Sequence, residues 1–213
     1  MHNARLLDPA PTLDSHGFQL VEAPTELDLQ DTDQVTGAFY AECRALIKRV
    51  TGCAAVRDGR HEYRRSPGLP TPNGSGGGFA GGIHADMSCA IELNWQPGDD
   101  ERHFQSLNVW RSAEPEAEIE MMPLALCAMD SVDPKDIVYG DGQNTSDIRM
   151  YMKVVNNNVV HNPAQMWFYF PRIRPSEVLL FRALRSALCP SLRLHNSRAA
   201  ASAQASTIRA RRL

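Results

Sequence analysis

The spacing of apolar positions changes along this chain. Between Asp31 and Thr51, Val35, Phe39, Cys43, Leu46, Ile47 and Val50 recur at three- and four-residue intervals. That period predicts a helix with one buried face. Thr32 or Asp33 can cap its start, and Gly52 supplies a stop. Before it, residues 1–15 are polar, contain two prolines and read as a loose lead-in. Beyond residue 82 the pattern becomes a succession of short strand-like runs at 82–93, 105–111, 122–128, 136–139, 150–155, 166–170 and 177–181. Turn-forming clusters at 96–100, 130–136 and 140–144 separate them. Many short strands at this spacing predict a sandwich or barrel, so the fold class is mainly β with supporting helices. Residues 66–82 are rich in proline and glycine and cannot form a regular element. They contain no G-x-x-x-x-G-K-[ST], so a loop bordering a site is a better reading than a phosphate cradle.

Composition narrows this picture. A chain of 213 residues favours one domain, taken as 16–213 after the lead-in. Five cysteines (Cys43, Cys53, Cys89, Cys127, Cys189), odd in number and without C-x-x-C spacing, predict reduced buried thiols and a cytoplasmic location. The first twelve residues have no apolar core of a secretory signal, and no run approaches the length of a membrane helix. The net charge of −3 conceals a split. After Glu177 the only charged side chains are Arg182, Arg185, Arg193, Arg198, Arg209, Arg211 and Arg212. Residues 1–177 carry 15 basic against 25 acidic side chains. An acidic body argues against a nucleic-acid partner, and the basic segment 182–213 could bind an anion.

One run carries candidate chemistry. From Ile83 to Leu93 the residues alternate, with Ile83, Ala85, Met87, Cys89, Ile91 and Leu93 on one face and His84, Asp86, Ser88 and Glu92 on the other. The period of two projects His84 and Asp86 from the same side of a strand. An imidazole and a carboxylate so placed can grip one cation, and a second histidine would complete a 2-His-1-carboxylate triad for non-haem iron. By itself H-x-D is a weak signal, and a surface His–Asp pair on an exposed strand face is the plainer reading.

Longer stretches point the same way. They are His16-Gly17-Phe18-Gln19-Leu20-Val21, Arg60-His61-Glu62-Tyr63-Arg64, Ile83-His84-Ala85-Asp86-Met87-Ser88, Leu107-Asn108-Val109-Trp110-Arg111, Pro123-Leu124-Ala125-Leu126-Cys127, Trp167-Phe168-Tyr169-Phe170 and Glu177-Val178-Leu179-Leu180-Phe181. In that order the chain resembles the oxygenase-like family of the gibberellin desaturase, the aspergillic acid hydroxylase and the cephamycin 7α-methoxylation protein. The resemblance implies a double-stranded β-helix (jelly-roll) using Fe(II), 2-oxoglutarate and O2. It implies a ferryl oxidant that abstracts hydrogen as 2-oxoglutarate is decarboxylated to succinate. His84 and Asp86 match the first two iron ligands. His195 stands where the third is expected, with His161 and His103 as fallbacks. Ser206 to Arg211 matches the closing strand, making Arg209 or Arg211 the residue for the far carboxylate of 2-oxoglutarate.

The segment 182–213 departs from the family pattern. Arg198 replaces an expected phenylalanine, Arg185 replaces an acidic residue, and Gln165 replaces the histidine before Trp167. Its final strands are therefore read as divergent or disrupted. Asn108 and Arg111 belong to the shared Asn-x-Trp-Arg run and are candidate substrate contacts. Their strand positions put them on opposite faces, so one at most faces a pocket. Arg111 could meet a substrate carboxylate or phosphate, or pair with Glu114 or Glu116 at the rim.

The expectation is a hydroxylase or desaturase of a small secondary metabolite, with no nucleic-acid or membrane partner. The alternatives are a non-catalytic binding or accessory protein of the same ancestry, or an accessory component of a methoxylation step.

Overall fold

The computed structural model describes residues 1–65, Pro72, 78–79, 83–85, 104–138, 157–185 and 206–211. The elements in chain order are β1 (His2–Asn3), β2 (Phe18–Glu22), α1 (Thr32–Gln34), α2 (Tyr40–Thr51), β3 (Ala55–His61), β4 (His84–Ala85), β5 (Phe104–Trp110), β6 (Ala125–Cys127), β7 (Ile137–Val138), β8 (Asn157–Val159), β9 (Trp167–Tyr169), β10 (Glu177–Arg185) and β11 (Ser206–Arg211). The protein is mainly β with few helices.

The expected helix forms, with two local differences. Its cap is Asp31, whose carboxylate accepts from the amides of Asp33 and Gln34. A π-helical stretch, Val35–Phe39, then joins α1 to α2. At the other end Gly52 adopts φ 66°, and its amide donates to the Lys48 carbonyl. This is the left-handed terminus that glycine reaches without penalty.

Among the described residues, β2, β10, β5, β11 and β3 lie in that order in one sheet whose paired strands are antiparallel. Alternation along each strand decides what covers each face. Leu107, Val109, Val178 and Leu180 pack with Phe39, Cys43, Leu46 and Ile47 on the helix side. Trp110, Leu179 and Phe181 point the other way, into a cluster with Phe18, Leu126, Phe168, Phe170 and Ile173. Leu126 and Phe168 belong to a second sheet, β1-β9-β6. Val178-Leu179-Leu180-Phe181 is continuously apolar because β10 is buried on both faces.

Residues 1–15, expected to be loose, carry regular structure and anchors. β1 pairs with β9 in parallel. The Arg5 guanidinium grips the Glu177 carboxylate with bonds of 2.9 and 2.6 Å, and Arg182 donates to Asp14 at 3.2 Å.

The expected strands at 105–111, 122–128, 136–139, 166–170 and 177–181 correspond to β5, β6, β7, β9 and β10, and β4 lies within 82–93. The run at 150–155 and most of the loop 66–82 lie outside the described residues. Sequence periodicity missed β2, β3 and β8. In the basic segment, Ser206–Arg211 takes an interior place, pairing with β5 on one side and β3 on the other.

Candidate metal and cosubstrate site

His84 sits on β4, half-buried, its backbone opposite Asn158 in the small sheet β4-β8-β7. Asp86 and His195, the residues expected to join it, lie outside the described residues, as does His103. His161 is exposed just beyond β8. Among the described residues no group of three or more His, Cys, Asp and Glu side chains could hold a metal ion. Gln165, which stands where a histidine was expected, is buried and structural. Its amide donates to the Val160 carbonyl at 2.8 Å and to Asp136 at 3.3 Å.

The candidate cosubstrate residues are placed by register. Arg209 is opposite Ser106 of β5 and Arg57 of β3, while Arg211 is opposite Phe104 and Ala55. Directly opposed residues of antiparallel strands share a face. Since Leu107 and Val109 face the helices, Ser106 and Asn108 belong to the opposite face, the one on which Trp110 meets the aromatic cluster. Both are completely buried. The Ser106 hydroxyl has no hydrogen-bond partner among the described residues. A buried hydroxyl left without a partner is costly unless something else satisfies it. Ser106 and Asn108 thus form a short polar row in an otherwise apolar wall.

Asn108 and Arg111 do face opposite ways. Asn108 shares the Ser106 face, opposite Thr207 and Phe181. The Arg111 guanidinium lies 5.8 Å from the Phe39 ring centroid, on the helix side. It donates to the Ala23 carbonyl at 3.1 Å and to the Pro175 carbonyl. These main-chain oxygens, not Glu114 or Glu116, are the protein partners of its two terminal nitrogens, and its buried Nε has no partner among the described residues. Arg111 also borders a cavity of about 470 Å³ whose lining includes Leu29, Glu114, Arg174 and Pro175.

Cys43, Cys53 and Cys127 are free and buried. Burial pushes the Cys43 thiol up to about 12, which leaves it a neutral packing group, not a nucleophile. Sequence reasoning did not single out Ser106 or Arg57. The available signal for Ser106 was a small polar residue two positions before Asn108, on a strand whose other face carries Leu107 and Val109.

A family model described as an oxidoreductase/YMDC permease-like domain matches residues 1–207. The Fe(II)/2-oxoglutarate-dependent dioxygenase nvfI of Aspergillus novofumigatus is 30% identical over 217 residues, covering 90% of this chain and 73% of that protein. The chain belongs to the Fe(II)/2-oxoglutarate-dependent oxygenase family. Within that family, the hydroxylase/desaturase efuI of Hormonema carpetanum is 28% identical over 196 residues, covering 80% of this chain. This family member spans 65% of the length of efuI. The solved structure of the iron and alpha-ketoglutarate-dependent endoperoxidase NvfI matches with a TM-score of 0.70 at 25% identity, covering 99% of this chain and 83% of that one. Among the described residues of this oxygenase-family chain, no helix is long and apolar enough to cross a membrane.

Proposed function

We propose that the protein is an Fe(II)- and 2-oxoglutarate-dependent hydroxylase or desaturase of a small secondary metabolite, built as a double-stranded β-helix and working in the cytoplasm. The observation that carries this reading is the 30% identity, over nine tenths of the chain, to a dioxygenase of that cofactor class. The register of Arg209 against buried Ser106 supports it.

In this reading His84, Asp86 and His195 would hold the metal, two imidazoles and one carboxylate being a donor set suited to non-haem iron. Arg209, or Arg211 one pleat along the same face, binds the far carboxylate of 2-oxoglutarate through a planar cation matched to its two oxygens. The wall of Trp110, Leu179 and Phe181 excludes water, which strengthens that ion pair. Asn108 supplies a buried amide on the same face to orient substrate. When bound, iron with 2-oxoglutarate and O2 supplies oxidising power to remove hydrogen from an unactivated carbon, with release of succinate and CO2.

Anaerobic addition of Fe(II) and 2-oxoglutarate to the full chain should produce the visible absorption of the metal–keto acid chelate, and admission of oxygen should produce succinate. The variant His84→Ala should lose both signals. A wild-type protein that binds no 2-oxoglutarate would overturn the reading and favour a non-catalytic accessory protein.

A further inference from the structure

The cavity beside Arg111 is separate from the candidate metal and cosubstrate residues. Leu27, Leu29 and Ala113 line it, and all three belong to or pack against the core on the helix side of the main sheet. His84 stands in another sheet, and Ser106 and Asn108 take the opposite face of this one.

The charges around the cavity divide into one buried cation and an acidic rim. The terminal nitrogens of Arg111 donate to the Ala23 and Pro175 carbonyls, and its buried Nε has no partner among the described residues. No carboxylate among those residues pairs with it. A guanidinium held only by neutral oxygens keeps an unmatched charge and an unmet donor, both of which are costly once buried. Burial accordingly presses its pKa below the ordinary arginine value. Arg174, the other arginine of the lining, is already matched by Glu22 and Glu177. Of the three carboxylates in the lining, Glu114 pairs with Arg65 and Glu118 with Arg172. Glu116 is exposed and unpaired among the described residues.

This distribution selects a class of ligand. Arg111 calls for one carboxylate, whose oxygens accept from a guanidinium. The acidic rim repels a ligand with more negative charge, such as a phosphate, and Glu116 favours a positive group. Leu27, Leu29 and Ala113 offer apolar surface, and a cavity of about 470 Å³ has room for a small organic molecule.

We propose that this cavity is a second ligand site, which takes an amino-acid zwitterion with an apolar side chain, its carboxylate toward Arg111 and its ammonium toward Glu116. The site uses neither iron nor 2-oxoglutarate, so it stands or falls apart from the oxygenase reading.

Calorimetry on the full chain, freed of metal by chelation and dialysis so that no amino acid binds through iron, tests this with ligands of one carbon skeleton. L-leucine should bind saturably. 4-Methylpentanoate, which lacks the ammonium, should bind about 5-fold more weakly or worse, and 3-methylbutylamine, which lacks the carboxylate, more weakly still. Glu116→Gln, a change at the surface that leaves the packing intact, should weaken L-leucine by roughly 2- to 5-fold, the range of an exposed charge pair. It should not weaken 4-methylpentanoate. Arg111→Lys keeps the charge but loses the planar fork, and should weaken both carboxylates by roughly 10-fold. His84→Ala should bind L-leucine as the wild type does.

The absence of saturable L-leucine binding would overturn the assignment. So would equal affinity for L-leucine and 4-methylpentanoate, or an unchanged L-leucine affinity in Glu116→Gln. Loss of L-leucine binding in His84→Ala would move the site to the metal centre and overturn it as well. Should Arg111→Lys fail to fold, Glu116→Gln and the ligand series decide the matter without it.

Discussion

A carboxylate only 4% exposed is tolerable when its charge is fully matched, and Glu177 is matched from three sides. Burial acts to raise its pKa, but the Arg5 guanidinium, the Arg174 amide and the Arg174 guanidinium outweigh burial and bring it down to about 2. Because the folded-state value lies below the ordinary one, this contribution to stability is complete above about pH 4.5 and is lost as pH falls through about 2. Arg5→Ala should remove the largest of these favourable contacts, costing roughly 1.5–3 kcal/mol in urea denaturation at pH 7. It should also move the acid loss of stability to higher pH, and an unchanged acid profile would count against the role given to Arg5. None of this was legible in the sequence. Arg5 and Glu177 meet only because β1 joins the second sheet while β10 crosses the first, and periodicity carries no information on such pairs. His84 was legible, because an H-x-D on an alternating run states its own geometry.

At the scale of elements, legibility followed burial. The helix 32–51 and strand β10 announce themselves because each buries a well-defined apolar set. Strand β3 did not, because Ala55–His61 carries arginines and an aspartate on a strand with few buried positions. Strand β8 is hidden for a related reason: Asn157 and Asn158 have low strand propensity, and partners on both sides hold them extended. The helix terminus offers a clean test. A methyl group on Gly52 would meet nothing within 4 Å, yet the φ of 66° is unfavourable for any residue with a Cβ. Gly52→Ala should therefore cost about 1 kcal/mol by conformation alone. In thermal unfolding followed by circular dichroism, that is a fall in Tm of roughly 2–4 °C. An unchanged Tm would mean that the helix ends elsewhere in solution.

At the scale of the molecule, the main sheet is covered by helices on one side and by β1-β9-β6 on the other, and the N-terminal segment ties the two sheets together. Deleting residues 1–6 would remove β1 and the Arg5 anchor at once. Hydrogen exchange should then rise first at 167–169, the strand that loses its neighbour, while the amides of 40–51 stay protected. Equal loss of protection in both regions would show that β1 supports the whole fold and not one sheet. The placement of β11 has a different kind of consequence. Its partners β3 and β5 both leave the ribosome well before it, so the nascent chain carries two open strand edges from the emergence of β5 until β11 follows. The gap is filled by a strand encoded far downstream, and such long-range pairing is slow to form. Open edges invite pairing with other chains. A shift of reading frame anywhere between β10 and β11 would therefore do more than remove a binding residue. It would leave that gap permanently unfilled and turn a solubility problem of seconds into a lasting one.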